Sequence, residues 1–398
     1  MATNRWIYLL LLSFIRVAMG VQFQSVGAAG PAIRDDLGLD YAALGAIAGS
    51  YLGLGAFLAL PAGWLSARFG DRRILLCGLG LMVLGGIGLG VSPNFGIALC
   101  CRLGSGVGAV MLNIVVSKLV MDRFGDASLG TAMGVLLGAW PLGIGVGSIV
   151  LPYAVDLIGW RGVMLATAAC CAGFLIMAAA VVPRGVPHVA VMRSGAGVLR
   201  LGMSPLVIAA VVVAGMVWML ANAGYIILLG LAPSYFAEHG MSLATAGWVL
   251  SLASFGTIPV GPVGGWLGSR TGRPMLITAV SYLLVAPLFL LVPGTSHPAL
   301  LLLLVGVIFG LPAGLIVAMP ARVLRPDQRA VGMGLFYSVF YAGLGVFAPF
   351  AGWVRDLTAI ETAPFIVAAV LTAITAIAVA VFVVLVGRVG RPSDGTSR

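Results

Sequence analysis

Residues 63–73 read Gly63-Trp64-Leu65-Ser66-Ala67-Arg68-Phe69-Gly70-Asp71-Arg72-Arg73, and the pattern returns at 265–273 as Gly265-Trp266-Leu267, Arg270, Gly272 and Arg273. Each copy is a short basic loop that closes one long apolar stretch and opens the next. The offset is close to half the chain, and other pairs recur near it: Met133-Gly134 with Met333-Gly334, and Asp156-Leu157 with Asp356-Leu357. A repeat of this period makes the chain two related halves. Halves in the same orientation imply a pseudo-two-fold axis along the membrane normal, with a substrate site expected at midplane between them.

Outward from these loops the sequence is almost wholly apolar. Of 398 residues, 61% are hydrophobic and 9% are charged. A soluble domain carries about a quarter charged residues, so this chain could not cover a water-facing surface. Its apolar runs last about twenty residues without strand alternation, which is the length of a bilayer-crossing helix. The 57 glycines suit helices that pack closely in lipid.

The expected spans are 6–29, 43–66, 74–92, 95–121, 128–150, 160–183, 204–235, 244–267, 274–293, 299–321, 329–351 and 363–387. This predicts an all-α membrane protein of two six-helix bundles: 1–183 and 204–387, joined by a cytoplasmic linker at 184–203 and followed by a tail at 388–398. The first run is long for a signal peptide and is read as a retained span.

Orientation follows from the basic residues, all arginine except Lys118. Cytoplasmic segments would hold Arg5, Arg68, Arg72, Arg73, Arg123, Arg184, Arg193, Arg200, Arg270, Arg273, Arg322, Arg325, Arg329, Arg388, Arg391 and Arg398, against Arg34, Arg161 and Arg355 outside. That asymmetry predicts a bacterial inner-membrane protein with both termini in the cytoplasm. The net charge of +10 is therefore topological, with no nucleic-acid partner implied.

The 63–73 loop resembles the signature between helices 2 and 3 of the major facilitator superfamily, with Ala67 where that signature usually has Asp. Arg102, Gly106 and Gly108 resemble its helix-4 motif. Gly138 to Gly145, with Trp140-Pro141, is loosely similar to its helix-5 motif. The resemblance covers essentially the whole chain. It implies two rocking six-helix halves and a gating role for Gly63, Arg68, Gly70, Asp71, Arg72, Arg102, Gly265, Arg270 and Gly272. Within that superfamily, residues 16–39 look most like the cyanate/nitroimidazole porter group.

An arginine at the bilayer centre costs about 3 kcal/mol on insertion scales, and Arg16 lies near the middle of the first span. It either faces a water-filled cavity and binds an anion or braces neighbouring helices. Gly20, Phe23 and Gln24 lie on its face by helical spacing, whereas Gln22 points elsewhere. Gln24 is either a site group or interhelical glue. At the repeat offset Arg16 corresponds to Trp218, which shares a face with Asn222 and Tyr225; these line a pocket or simply pack. Asn113 lies eleven residues from Arg102, and Arg102 is either architectural or a substrate contact. Lys118 is a weaker candidate near a helix end. Trp140 either lines the cavity or marks a kink beside Pro141.

The twelve acidic residues and three histidines fall in loops or at span ends. With no midplane carboxylate to hold a proton or a cation, a positive cavity favours anions. No phosphate-binding loop, metal spacing or nucleophile set is present, so neither an enzyme nor a cofactor is expected. The five cysteines lie inside apolar runs without a disulfide framework. The expected function is secondary transport of a small anionic solute by a monomer in a lipid bilayer. A multidrug exporter and a non-transporting membrane sensor are the alternatives.

Overall fold

Capping and proline placement start the helices where the apolar runs begin. Side-chain oxygens of Asp40, Asn94, Ser204 and Ser242 accept from the backbone N–H groups of Ala43, Ile97, Val207 and Thr245. Pro205, Pro274 and Pro298 occupy first turns, where their missing N–H is harmless. The computed structural model describes residues 5–124, 126–183, 203–325 and 328–389. Side chains at 59, 60, 62–64, 66, 67, 126–131, 329 and 330 are outside that description, as are linker residues 184–202 and tail residues 390–398.

Among the described residues the fold is all-α, without strands. In chain order the helices are α1 (Arg5–Ala28), α2 (Gly30–Leu37), α3 (Tyr41–Gly53), α4 (Gly55–Phe69), α5 (Asp71–Gly90), α6 (Phe95–Met121) and α7 (Asp126–Val181). They continue as α8 (Pro205–Glu238), α9 (Leu243–Thr271), α10 (Pro274–Leu291), α11 (Pro298–Gly310), α12 (Ala313–Val317), α13 (Arg329–Thr358) and α14 (Ala363–Val389).

Eleven stretches are long and apolar enough to span a bilayer, and one of them, Ala132–Val181, has 50 residues. A bilayer needs about 20, so this stretch supplies two crossings. They are divided at Gly159, whose φ of 69° and ψ of 168° break the helix and reverse the chain. Twelve crossings result, and the two ends of the described chain lie at the same end of the bundle. That is the near end here, and the opposite end is the far end.

Four local features depart from the sequence reading. The first connection is a helix, α2, because Pro31 suits a first turn and Gly38, at φ 63°, closes it with a left-handed cap. The second crossing is split at Leu54, where glycines on both sides weaken the helix. The fifth runs on helically past residue 150 to Gly159. The tenth ends its regular helix at Gly310, ahead of Pro312, and finishes as α12 and a 3₁₀ turn over Pro320–Arg322.

Across the seam between the halves, α13 packs along α3 and α4, α7 along α9, and α1 along α8. The approach of α3 to α13 is backbone to backbone. A Cβ on Gly53 would lie 2.8 Å from the Cα of Gly345, and one on Gly49 would lie 3.0 Å from the Leu344 carbonyl oxygen. Only glycine fits where two backbones meet this closely.

Candidate functional site

Arg16 stands halfway along α1 and is only 8% exposed. Its Nε and Nη1 are buried without a hydrogen-bond partner. The guanidinium interacts electrostatically with the hydroxyls of Tyr337 and Tyr341, on α13 of the other half. These tyrosines lie four residues apart on one helix face, with ring centroids 6.4 Å apart. Asn113 on α6 donates from Nδ2 to the Tyr341 hydroxyl at 2.8 Å, a polar bond that crosses the seam. The centre of the bundle thus holds one arginine, two phenols and an amide drawn from both halves. All described aspartates and glutamates lie at helix ends or in connections.

Arg102, on α6, is 1% exposed and is used differently. It does not snorkel toward a helix end. Its Nη1 and Nη2 donate to the Gln22 and Phe23 carbonyls of α1 at 2.9 and 2.7 Å, and its guanidinium lies 4.4 Å from the Tyr51 ring centroid. Gln22 belongs to the same cluster. Its amide donates to the Met82 carbonyl at 3.0 Å and its Oε1 accepts from the Tyr51 hydroxyl at 3.3 Å. Arg102 therefore braces α1 to α6 inside the first half, whereas Asn113 bonds across the seam.

The remaining expected site residues separate. Gln24 is 2% exposed and donates to the Leu229 carbonyl of α8 at 3.4 Å, which joins the halves. Trp140 lies 5.6 Å from Phe23 and Trp218 lies 5.7 Å from Phe340, both half-buried. Asn222 donates back to the Trp218 carbonyl of its own helix at 2.9 Å. Tyr225 is buried within the second half, hydrogen-bonded to Ser254 at 3.1 Å and stacked on Phe309 at 4.6 Å. The Lys118 ammonium pairs with Asp71 at 2.8 Å near the end of α6.

Each repeated loop holds a glycine at positive φ, although the two differ in ψ, 141° at Gly70 and 9° at Gly272. Gly70 (φ 86°) precedes α5 and Gly272 (φ 66°) closes α9, a region only glycine enters freely. Asp71 opens α5 and holds Lys118, while Arg72 donates to the Ala179 carbonyl at 2.5 Å and so ties the third crossing to the sixth. Arg68 lies 5.7 Å from the Phe69 ring and Arg270 lies 5.2 Å from the Trp266 ring. Gly63 and Gly265 sit within α4 and α9, and a Cβ at Gly265 would meet nothing within 4 Å.

At the far end stands Glu238, the last residue of α8 and one to which the sequence attaches no motif. Its carboxylate accepts from Arg34 on α2 at 2.7 Å, from the Tyr41 hydroxyl of α3 and from Arg355 on α13. Asp356 accepts from the Tyr41 and Ala42 backbone N–H groups at 3.2 and 2.8 Å. Partial burial lowers the basicity of Arg34, but the Glu238 hydrogen bond, with Tyr41 and Asp35 nearby, outweighs it and holds the guanidinium more firmly charged than usual. Five polar side chains from both halves thus close the far end of the seam. No group of three His, Cys, Asp or Glu side chains is placed to hold a metal among the described residues.

Comparison with known proteins agrees with this architecture. The family model for the Major Facilitator Superfamily matches residues 12–323 and 220–397. A 4-hydroxybenzoate transporter of Pseudomonas aeruginosa is 25% identical over 401 residues, covering 88% of this chain and 87% of its own. A probable L-galactonate transporter of Escherichia coli is 29% identical over 157 residues, 39% of this chain and 35% of its own. A lincomycin resistance protein of Streptomyces lincolnensis is 27% identical over 163 residues, 41% of this chain and 34% of its own. In these last two alignments the chain spans about a third of the relative's length. A solved peptide transporter in complex with sulfate superimposes with a TM-score of 0.75 at 17% identity, over 96% of this chain and 95% of that one, a likeness of fold.

Proposed function

From a chain that belongs to the Major Facilitator Superfamily, and so is a multi-pass membrane transporter, we propose transport of a small organic anion by alternating access. The observation that carries this reading is Arg16, a charge in the membrane interior with two nitrogens, Nε and Nη1, unanswered. Such a group is costly unless a ligand meets it, and an anion relieves both the charge and the open donors. The chemistry of two relatives agrees, since 4-hydroxybenzoate and L-galactonate are both carboxylates. In this reading Asn113 and Gln24 orient the solute, Trp140, Trp218 and Asn222 wall its path, and the motif loops govern rocking of 1–183 against 204–387. Arginine asymmetry supports placement in the cell membrane with both termini cytoplasmic, the unit being a monomer in this reading, and the start of the chain supports placement near the cyanate/nitroimidazole porter group.

Arg16→Gln tests the proposal in proteoliposomes. Uptake of a radiolabelled carboxylate should fall at least tenfold while reconstituted protein stays at the normal level. Undiminished uptake would remove the anion role. A drug-export reading is favoured by the lincomycin resistance relative and by the aromatic groups near the seam. Resistance to lincomycin conferred on a sensitive host, unaffected by Arg16→Gln, would select it.

A further inference from the structure

The polar cluster that closes the far end of the seam depends on the last turn of α8, and the residue after Glu238 is a histidine that the cluster itself does not use. His239 caps that helix. Its Nδ1 lies 2.8 Å from the Tyr235 carbonyl oxygen, and its Nε2 lies 3.2 Å from a carboxylate oxygen of Glu361, in the connection between α13 and α14. Both ring nitrogens therefore face oxygen acceptors. A neutral imidazole has one N–H; if the carbonyl takes it, the lone pair of Nε2 is turned toward the carboxylate. Only a second proton, on Nε2, makes both contacts attractive at once.

The other surroundings suit the same charged ring. It stacks on Tyr235 with 4.1 Å between centroids, and a cation at the end of α8 meets the negative end of the helix dipole. Tyr235 is itself fixed in place. Its hydroxyl donates to the Pro293 carbonyl at 3.2 Å, and its ring meets Phe365 of α14 edge-on at 5.0 Å. The charged and titratable groups around the imidazole are Glu361, Tyr235 and the adjacent Glu238, with Arg355 of α13 bonded to Glu238. With both nitrogens protonated, His239 ties the end of α8 to the α13–α14 connection. That tie lies within the second half, and it holds α8 where Glu238 reaches Arg34 and Tyr41 of the first.

Independently of what the solute carries, we propose that His239 and Glu361 form a proton-binding site that sets how firmly the far end is latched. Imidazole ordinarily exchanges its proton between about pH 5 and pH 8. At the acid end of that range the pair is intact and the far end is held shut. As pH rises through it, Nε2 loses its proton, the attraction to Glu361 is lost and the latch loosens. By linkage, closing the far end takes up a proton there and opening releases it. Both side chains are partly exposed, so the effect is a few-fold bias rather than an all-or-none switch.

The test follows the distance between spectroscopic probes on α2 and α13 in the full-length protein in nanodiscs, from about pH 5 to about pH 8. In wild type the far-end-open population should rise about threefold across that range. His239→Gln and Glu361→Gln should each flatten the profile, because neither keeps a cation facing a carboxylate. His297→Gln, at the histidine just ahead of α11, should keep the wild-type profile. A wild-type distribution that does not change with pH overturns the proposal. So does a pH profile that survives in either pair variant, or one that disappears in His297→Gln.

Discussion

Arg16 and Arg102 lie in the same half of the molecule, both buried, yet the fold treats them oppositely. Arg102 divides its two terminal nitrogens between adjacent carbonyls of α1 and rests on the Tyr51 ring, leaving only its Nε unpartnered. Arg16 keeps Nε and Nη1 without partners and faces the other half. The difference teaches that a buried charge in a membrane helix is not by itself a functional site. What distinguishes the two is whether the surrounding backbone already uses the donors. Arg102 has α1 carbonyls within reach, because close packing of α1 and α6 brings them there. Arg16 has only the phenols across a seam that must open in each cycle.

The comparison can be broken most forcefully at Arg102. Removing a charged group that makes two hydrogen bonds costs about 3 kcal/mol, so Arg102→Leu should lower the Tm of purified protein by several degrees. Arg102→Lys should recover only part, since a single ammonium cannot fork between both carbonyls. An unchanged Tm in the Leu variant would erase the contrast with Arg16. The next effect is smaller and opposite in sign. An unanswered buried ion carries an uncompensated desolvation cost, so Arg16→Gln should match or exceed the wild-type Tm while losing transport. A large loss of stability there would mean that Arg16 is a brace as well.

The far-end cluster gives a third and weaker handle, because its ion pairs are partly exposed. Glu238→Gln keeps the shape but weakens the hold on Arg34 and Arg355. It should favour far-end opening by about fivefold, read as a shift in the distance between spectroscopic probes on α2 and α13. An unmoved distance distribution would show that the glycine contacts alone close that end. The smallest effect is expected at Lys118. Its pair with Asp71 is part-exposed, so Lys118→Met should change stability by less than about 1 kcal/mol and leave anion binding as in wild type. Weakened binding would return Lys118 to the site.

Much of the fold could be read from the residues alone, because lipid imposes a long, coarse pattern. Twenty-residue apolar runs and the repeated Gly-Trp-Leu loops mark the crossings and the two halves. The breaks at Leu54 and Pro312 escaped notice because hydropathy is blind to a kink inside a continuous apolar run. At the site, Arg16 stood out because a guanidinium opposes the solvation gradient. Tyr337 and Tyr341 did not, since a tyrosine in an apolar run looks the same whether it packs or binds. The repeat pointed from Arg16 to Trp218, but internal symmetry relates equivalent positions, whereas a site is made by facing ones. Gln22 and Gln24, two residues apart, needed tertiary neighbours to be told apart: one joins the core of its own half and the other reaches α8.

The glycine contacts between α3 and α13 bear on speed as well as on fit. Where Gly53 meets Gly345 there are no side chains to interlock, so sliding or tilting there does not require rotamers to disengage. Such a surface acts as a bearing: it resists compression but offers little friction to rotation. Turnover should then be governed by release of the polar latch and the solute, both of which can change by single substitutions, while the bearing stays fixed. A chain built this way can acquire new cargo without relearning how to move.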